Sequence, residues 1–227
     1  MYELHIANKN YSSWSLRPWI LMRELAIPFT ERLIPFSEGS NWEAFRSFSP
    51  TGKVPCLYDQ DDIVWDSLAI IEYLAERHDA VWPTEPKARA WSRSAAAEMH
   101  SGFGALRETC TMNCGIRVQL NQISAALQSD IARIDELWTE GIERFGGPFL
   151  AGKTYTAVDA FFAPVVFRAQ TYGLMLQKTA ASYAERILSA PAMRAWYDDA
   201  LLESWREPGH EAEARLAGTW LADLRAT

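Results

Sequence analysis

Cysteine is scarce and odd in number: Cys56, Cys110 and Cys114 are all that 227 residues contain. That excludes a disulfide framework and fits a reducing compartment. Four scattered histidines with no paired Cys/His spacing give no reason to expect a metal site. No apolar run approaches the ~20 residues that a membrane helix needs. The most apolar window, Ala157 to Phe167, is short and carries Asp159 and Pro164. The opening residues Met-Tyr-Glu-Leu-His-Ile-Ala-Asn-Lys-Asn lack the basic-then-apolar pattern of an export signal, so a cytoplasmic location is the expectation. Positive charge is not in excess either, with 22 Lys and Arg against 29 Asp and Glu and a net charge of −7. Nucleic acid and anionic membrane surfaces are therefore not expected as general partners, although a local basic pocket stays compatible with that balance.

What the chain does have is apolar material for a core: 48% hydrophobic residues, with ten Trp, ten Phe and eight Tyr. Leu4 to Ala7 reads as a strand, Leu16 to Leu25 as a helix, and Phe29 to Ile34 as a second strand. Asn41 to Phe48 carries Trp42, Phe45 and Phe48 at helical spacing. Val54 to Tyr58 and Ile63 to Trp65 are short strands around the turn Asp59-Gln60-Asp61-Asp62, and Ser67 to Arg77 is a helix. This βαβαββα order occupies residues 1–80. The doubly proline-broken segment Val81 to Pro86 reads as a linker, and residues 87–227 read as an α-helical domain. Its helices are expected from Lys87 to about Cys114, Ile123 to Phe145, Ala157 to Tyr172, Tyr183 to Leu188 and Ala192 to Leu202. Thr156-Ala157-Val158-Asp159 carries a capping-box signal. Cys110 and Cys114, four apart, read as small buried groups.

Three places hold residue types suited to chemistry. Ser12-Ser13-Trp14-Ser15-Leu16-Arg17-Pro18 puts three hydroxyls on a strand-to-helix turn. Ser13 or Ser15 capping the helix accounts for them as ordinary structure. The cation Arg17 near the positive end of a helix dipole fits better if it faces a carboxylate, and that tips the reading towards function. Val54-Pro55 opens a strand; if that bond is cis, the Val54 N–H and C=O face outward and can pair with an extended peptide ligand. Asp66-Ser67 is either an N-cap pair or a site for an α-amine and an α-carboxylate.

These features, together with Ser49-Pro50-Thr51-Gly52-Lys53-Val54-Pro55, Asp66-Ser67-Leu68-Ala69-Ile70 and the capping box at Thr156 to Asp159, resemble the cytosolic glutathione S-transferase family over nearly the whole chain. The serine run followed by Arg17 resembles its zeta class. The resemblance implies a thioredoxin-like N-terminal domain followed by the α-helical domain, a homodimer, and glutathione as co-substrate. It implies a cis Pro55, with Val54 pairing with the cysteinyl backbone of the tripeptide and Asp66 and Ser67 holding its γ-glutamyl end. Lys53 and Arg17 are implied as contacts or as sources of local field. Ser12 is the hydroxyl expected nearest the sulfur, with Ser13 its neighbour and substitute.

Hydroxyl donors and a helix N-terminus both favour the thiolate, whose free thiol has a pKa of about 8.5. The ionised sulfur then attacks an electrophile on the helical domain. Trp14, Met99, Phe103 and Leu106 are candidates for that second pocket, although core or dimer-interface packing is the simpler reading of the helical stretch. Gly102 and Gly104 permit close approach there, and His100 reads as a packed or exposed histidine. Trp14 stands where the zeta class commonly has cysteine, and Asp66 where it has glutamine. Conjugation of a hydrophobic electrophile is thus the expected reaction, with a zeta-type maleylacetoacetate isomerase or a non-enzymatic binding protein of the same fold as alternatives.

Overall fold

The computed structural model describes residues 1–225. Strand β1 (Tyr2–Ile6) sits inside a four-stranded sheet of order β2-β1-β3-β4. It runs parallel to β2 (Phe29–Leu33) and antiparallel to β3 (Cys56–Asp59), which pairs antiparallel with β4 (Asp62–Trp65). Leu4, Ile6 and Leu57 are fully buried beneath α1 (Ser13–Glu24) and α3 (Ser67–Ala75). The short α2 (Trp42–Arg46) buries Phe45 alone. This is the expected thioredoxin-like order, with one local correction. Helix α1 starts at Ser13, three residues before the expected Leu16. Pro18 therefore lies in the second turn, where its missing N–H deprives the Trp14 carbonyl of a helical donor.

The helical half is built around α7 (Ala157–Tyr172), which is buried on nearly every face. Helices α1 and α4 (Pro86–Ser101) both pack on it. The capping box is present with both of its bonds, and Asp159 does more than cap. Its carboxylate accepts from the Leu150 and Thr156 amides and the Tyr183 hydroxyl at 3.0, 2.9 and 3.1 Å, while burial raises its pKa to about 6.

The expected single helix from Lys87 to Cys114 is broken. α4 ends at Ser101, Phe103 adopts a left-handed conformation (φ 60°), and α5 (Gly104–Thr109) follows. The Arg107 guanidinium bonds the carbonyls of Met99 and Gly102, satisfying the exposed end of α4 and making the break favourable. α6 (Ala125–Phe145) and α9 (Pro191–Leu202) match expectation closely, whereas α8 (Lys178–Ser189) begins five residues before the expected Tyr183. The half is not wholly helical: β5 (Ile116–Leu120) pairs antiparallel with β6 (Gly218–Asp223), which follows α10 (Pro208–Ala217). Val81 and Trp82, expected in a linker, are buried, and the Val81 carbonyl accepts from the Ala157 amide at 2.8 Å.

Every residue from Ala7 to Ser13, between β1 and α1, is buried. Buried backbone groups need partners, and the helical half supplies them. Glu203 accepts from the Lys9 and Asn10 amides at 2.6 and 3.1 Å. The Trp196 indole donates to the Lys9 carbonyl at 2.8 Å, and the Cys114 and Gly115 amides donate to Asn10. Lys9 Nζ pairs with Asp199 and Glu31 at 2.6 and 2.9 Å. Glu203→Ala leaves two buried donors unsatisfied, so the expected loss is about 2–4 kcal/mol in chemical denaturation. Hydrogen exchange should accelerate selectively at the Lys9 and Asn10 amides; unchanged protection there contradicts the clamp.

Candidate active site

The clamped loop delivers Ser12 to the start of α1. Ser12 is the N-cap residue, but among the described residues its hydroxyl makes no capping bond. It donates instead to Ser15 Oγ at 2.7 Å, and Ser15 Oγ also accepts from the Ala7 amide at 3.3 Å. Ser15 thus fixes the turn, while Ser12 and Ser13 line a cavity. To donate to a ligand, the Ser12 hydroxyl needs only to rotate away from Ser15. Trp14 forms part of the walls of two cavities, one on each side of this turn.

The first cavity, about 450 Å³, is lined by Trp14, Thr51, Lys53, Val54, Pro55, Trp65, Asp66 and Ser67. All five sequence-predicted binding residues meet here. Val54–Pro55 is cis, and Lys53 borders both cavities. Gly52 (φ 61°) makes the turn before them, where a Cβ would lie 2.7 Å from the Trp42 ring. Asp66 also has a positive φ of 72°. One of its oxygens caps α3 by accepting from the Leu68 amide at 2.8 Å, and the other lies 3.6 Å from His100 Nε2. The ordinary capping role is therefore real for one oxygen. Burial, with Arg17 and Arg107 working against Asp66, lowers the His100 pKa.

Arg17 links the two halves. Its guanidinium lies 4.2 Å from the Trp14 ring and 4.9 Å from Phe161, and donates to Ser67 Oγ at 3.3 Å. Nε has no hydrogen-bond partner among the described residues. Burial, then Arg107 and Arg168, pushes the Arg17 pKa well down, while Asp66 opposes the shift. A buried cation so arranged is poor for stability and good for receiving an anion.

The second cavity, about 350 Å³, is lined by Ser12, Ser13, Trp14 and Lys53 together with residues that sequence reasoning missed. Tyr11, Phe36, Phe45 and Met112 make it largely aromatic and apolar, Arg168 brings a cation, and α10 brings His210 and Glu213. Burial, and then Arg107, lowers the Arg168 pKa to about 10. Met99, Phe103 and Leu106, expected on this pocket, are core residues at 1%, 7% and 0% exposure and line neither cavity. The break at Gly102–Phe103 turns that stretch into packing against α7 and α6. Arg168 did carry a signal, being the one cation in a largely apolar helix. The cysteines lie elsewhere, with burial raising Cys56 to about 11 and Cys110 to about 12. Thiol chemistry from the protein itself is thus not favoured.

Because Arg17 is retained without a carboxylate bond, Arg17→Met should preserve or raise the thermal midpoint. Removal of a desolvation cost of several kcal/mol offsets the lost cation–π contacts of about 2 kcal/mol. A drop of many degrees would show that Arg17 serves stability instead.

Models described as the N-terminal and C-terminal domains of glutathione S-transferase match residues 11–77 and 117–199. A glutathione S-transferase of Arabidopsis thaliana is 29% identical over 167 residues, spanning 69% of this chain and 71% of the relative. A probable maleylacetoacetate isomerase of Caenorhabditis elegans is 24% identical over 198 residues, 82% and 88% of the two chains. The fold matches a crystal structure of a Burkholderia glutathione transferase homolog with bound glutathione, at TM-score 0.65 and 21% identity over 88% of this chain and 97% of that one. With both domain models matched in order and together covering more than half of its length, the chain belongs to the glutathione S-transferase family.

Proposed function

We propose that this protein binds glutathione across the Asp66–Ser67 cavity and conjugates it, through its sulfur, to a hydrophobic electrophile in the aromatic cavity. The observation that carries this reading is the position of Ser12 and Ser13 at a turn flanked by Trp14, which borders both cavities. In this arrangement the Ser67 hydroxyl and the start of α3 receive the γ-glutamyl carboxylate, with Arg17 behind Ser67. Asp66 receives the ammonium through the oxygen not used in capping. Val54, beside the cis Pro55, pairs with the cysteinyl backbone. The sulfur then lies against the serine turn, where the Ser12 hydroxyl and the positive end of α1 favour the thiolate. Lowering a thiol pKa by two units takes only ~2.7 kcal/mol of differential stabilisation. A cytoplasmic homodimer belongs to the same reading and rests on family membership.

Arg168 and Lys53 at the aromatic cavity support a second reading, glutathione-dependent isomerisation of an unsaturated substrate bearing carboxylates. The relative named as a probable maleylacetoacetate isomerase points the same way. The bulk of Trp14 beside the sulfur favours conjugation. The two are separated by the fate of glutathione, which conjugation consumes and isomerisation returns. If neither turns over, a binding protein of this fold is the remaining alternative.

Ser12→Ala should lower turnover at neutral pH about threefold and move the alkaline-rising limb of the pH–rate profile up by about one unit. An undiminished rate, with the loss appearing in Ser13→Ala, transfers the role to Ser13. Ser67→Ala should weaken glutathione binding about tenfold, roughly 1.4 kcal/mol, with little change in kcat. Unaltered affinity in calorimetry contradicts the carboxylate assignment.

A further inference from the structure

The aromatic cavity contains one side chain that the thiolate mechanism leaves unused and that the fold holds in place with care. His210 lies in the first turn of α10 and lines the same cavity as Ser12 and Ser13. Its Nδ1 is 2.6 Å from Glu207 Oε2, and the same oxygen accepts the His210 amide at 2.7 Å. The ring stacks on Tyr11 at 5.0 Å and on Phe36 at 5.3 Å, with interplanar angles of 28° and 25°. Tyr11 is itself fixed by its hydroxyl, which donates to Glu211 at 2.7 Å, and Glu211 is held by Arg225.

Capping α10 requires only the bond from the amide to Glu207, so the second bond, to the imidazole, has no capping purpose. It has a chemical consequence. A carboxylate can only accept, so Nδ1 carries the hydrogen and Nε2 is the nitrogen left to take or give a proton. Burial works to raise Glu207, but the bonds from the His210 amide and ring outweigh it and hold the group anionic. The carboxylate fixes the ring's orientation and tautomer, the same arrangement by which a carboxylate orients a catalytic histidine elsewhere.

We propose that His210, positioned by Glu207, is the acid–base residue for the electrophile in this cavity, acting on acceptors whose addition product must be protonated. This rests on the thiol-transfer reading above. With an α,β-unsaturated ketone, as with any electrophile, the sulfur ionises at Ser12 and its proton leaves to solvent. Nε2 enters the addition step carrying a proton taken up from solvent. The sulfur pair forms the C–S bond at the β-carbon, and the C=C pair shifts to leave an enolate. Imidazolium Nε2–H gives its proton to that enolate, and His210 ends neutral. No further reactant is required. Displacement of an aryl halide differs, because chloride departs with its electron pair and takes no proton.

The test compares benzylideneacetone, an enone, with chlorodinitrobenzene, an aryl halide, in the full-length protein. In His210→Gln the ratio of enone to halide kcat should fall about tenfold or more, with the enone KM within about twofold of wild type. Glu207→Gln, which keeps an oxygen to cap α10, should lower the same ratio severalfold. Wild-type enzyme supplies a readout independent of any variant's folding: a larger solvent deuterium isotope effect with the enone than with the halide. An unchanged ratio, whether both rates persist or both fall together, overturns the proposal, as do equal isotope effects. Wild-type turnover of the halide alone also overturns it while leaving thiol transfer standing. Turnover of neither electrophile removes thiol transfer and this proposal together.

Discussion

The buried turn between β1 and α1 depends on one carboxylate more than on any apolar contact. Glu203, from just beyond α9, accepts the Lys9 and Asn10 amides, and Trp196 from the same helix donates to the Lys9 carbonyl. The turn satisfies part of its backbone internally, with the Tyr11 and Ser12 amides donating to the Asn8 carbonyl, and the helical half supplies partners for Lys9 and Asn10. The serine hydroxyls are thus held by residues nearly two hundred positions away in the chain. The small sheet domain contributes the turn, and the helical half holds it still. In the proposed function the serine donor gains its effect from being preorganised, and this docking supplies that preorganisation.

Charge is arranged on two scales. The chain as a whole is acidic, yet Arg17, Arg107 and Arg168 lie near one another behind the cleft, where Arg107 and Arg168 depress Arg17 and Arg107 depresses Arg168, and Arg168 lines the aromatic cavity. Arg107 is committed to the end of α4 and Arg168 to the Cys110 carbonyl, leaving their remaining charge to act on the cleft. Trp14 moderates this field, lying against both Arg17 and Arg107. The outcome is a local concentration of positive charge inside a protein whose net charge is −7.

Much of this was legible from residues alone, and the boundary is physical. Alternation and turn chemistry located the four strands of the sheet, because each is decided within a few residues. The capping box at Thr156 and Asp159 was equally local, and both of its bonds are present. Ser12, Lys53, Val54, Pro55, Asp66 and Ser67 were placed by motif, and the fold gathers them at two adjoining cavities. What escaped depends on distant partners. Ile116, Val118 and Leu120 alternate as a strand should, but their partner β6 lies about a hundred residues on. The break at Phe103 is decided by the Arg107 side chain reaching back to α4, which periodicity cannot show. The aromatic cavity is assembled from Phe36, Met112, Arg168 and His210, four separate segments, and no window of sequence contains it. The sequence leaves Asp66 as either cap or ligand; in the structure one oxygen caps α3 and the other lies 3.6 Å from His100 Nε2.

The central claim, that the clamped serine turn ionises a glutathione sulfur, is tested most directly by titrating the bound thiol itself. The ultraviolet absorbance of the thiolate, followed against pH in the binary complex, reports its pKa without reference to any electrophile. The account predicts a midpoint about two units below the ~8.5 of a free thiol, returning towards that value in Ser12→Ala. A bound thiol that titrates as it does in free solution contradicts it.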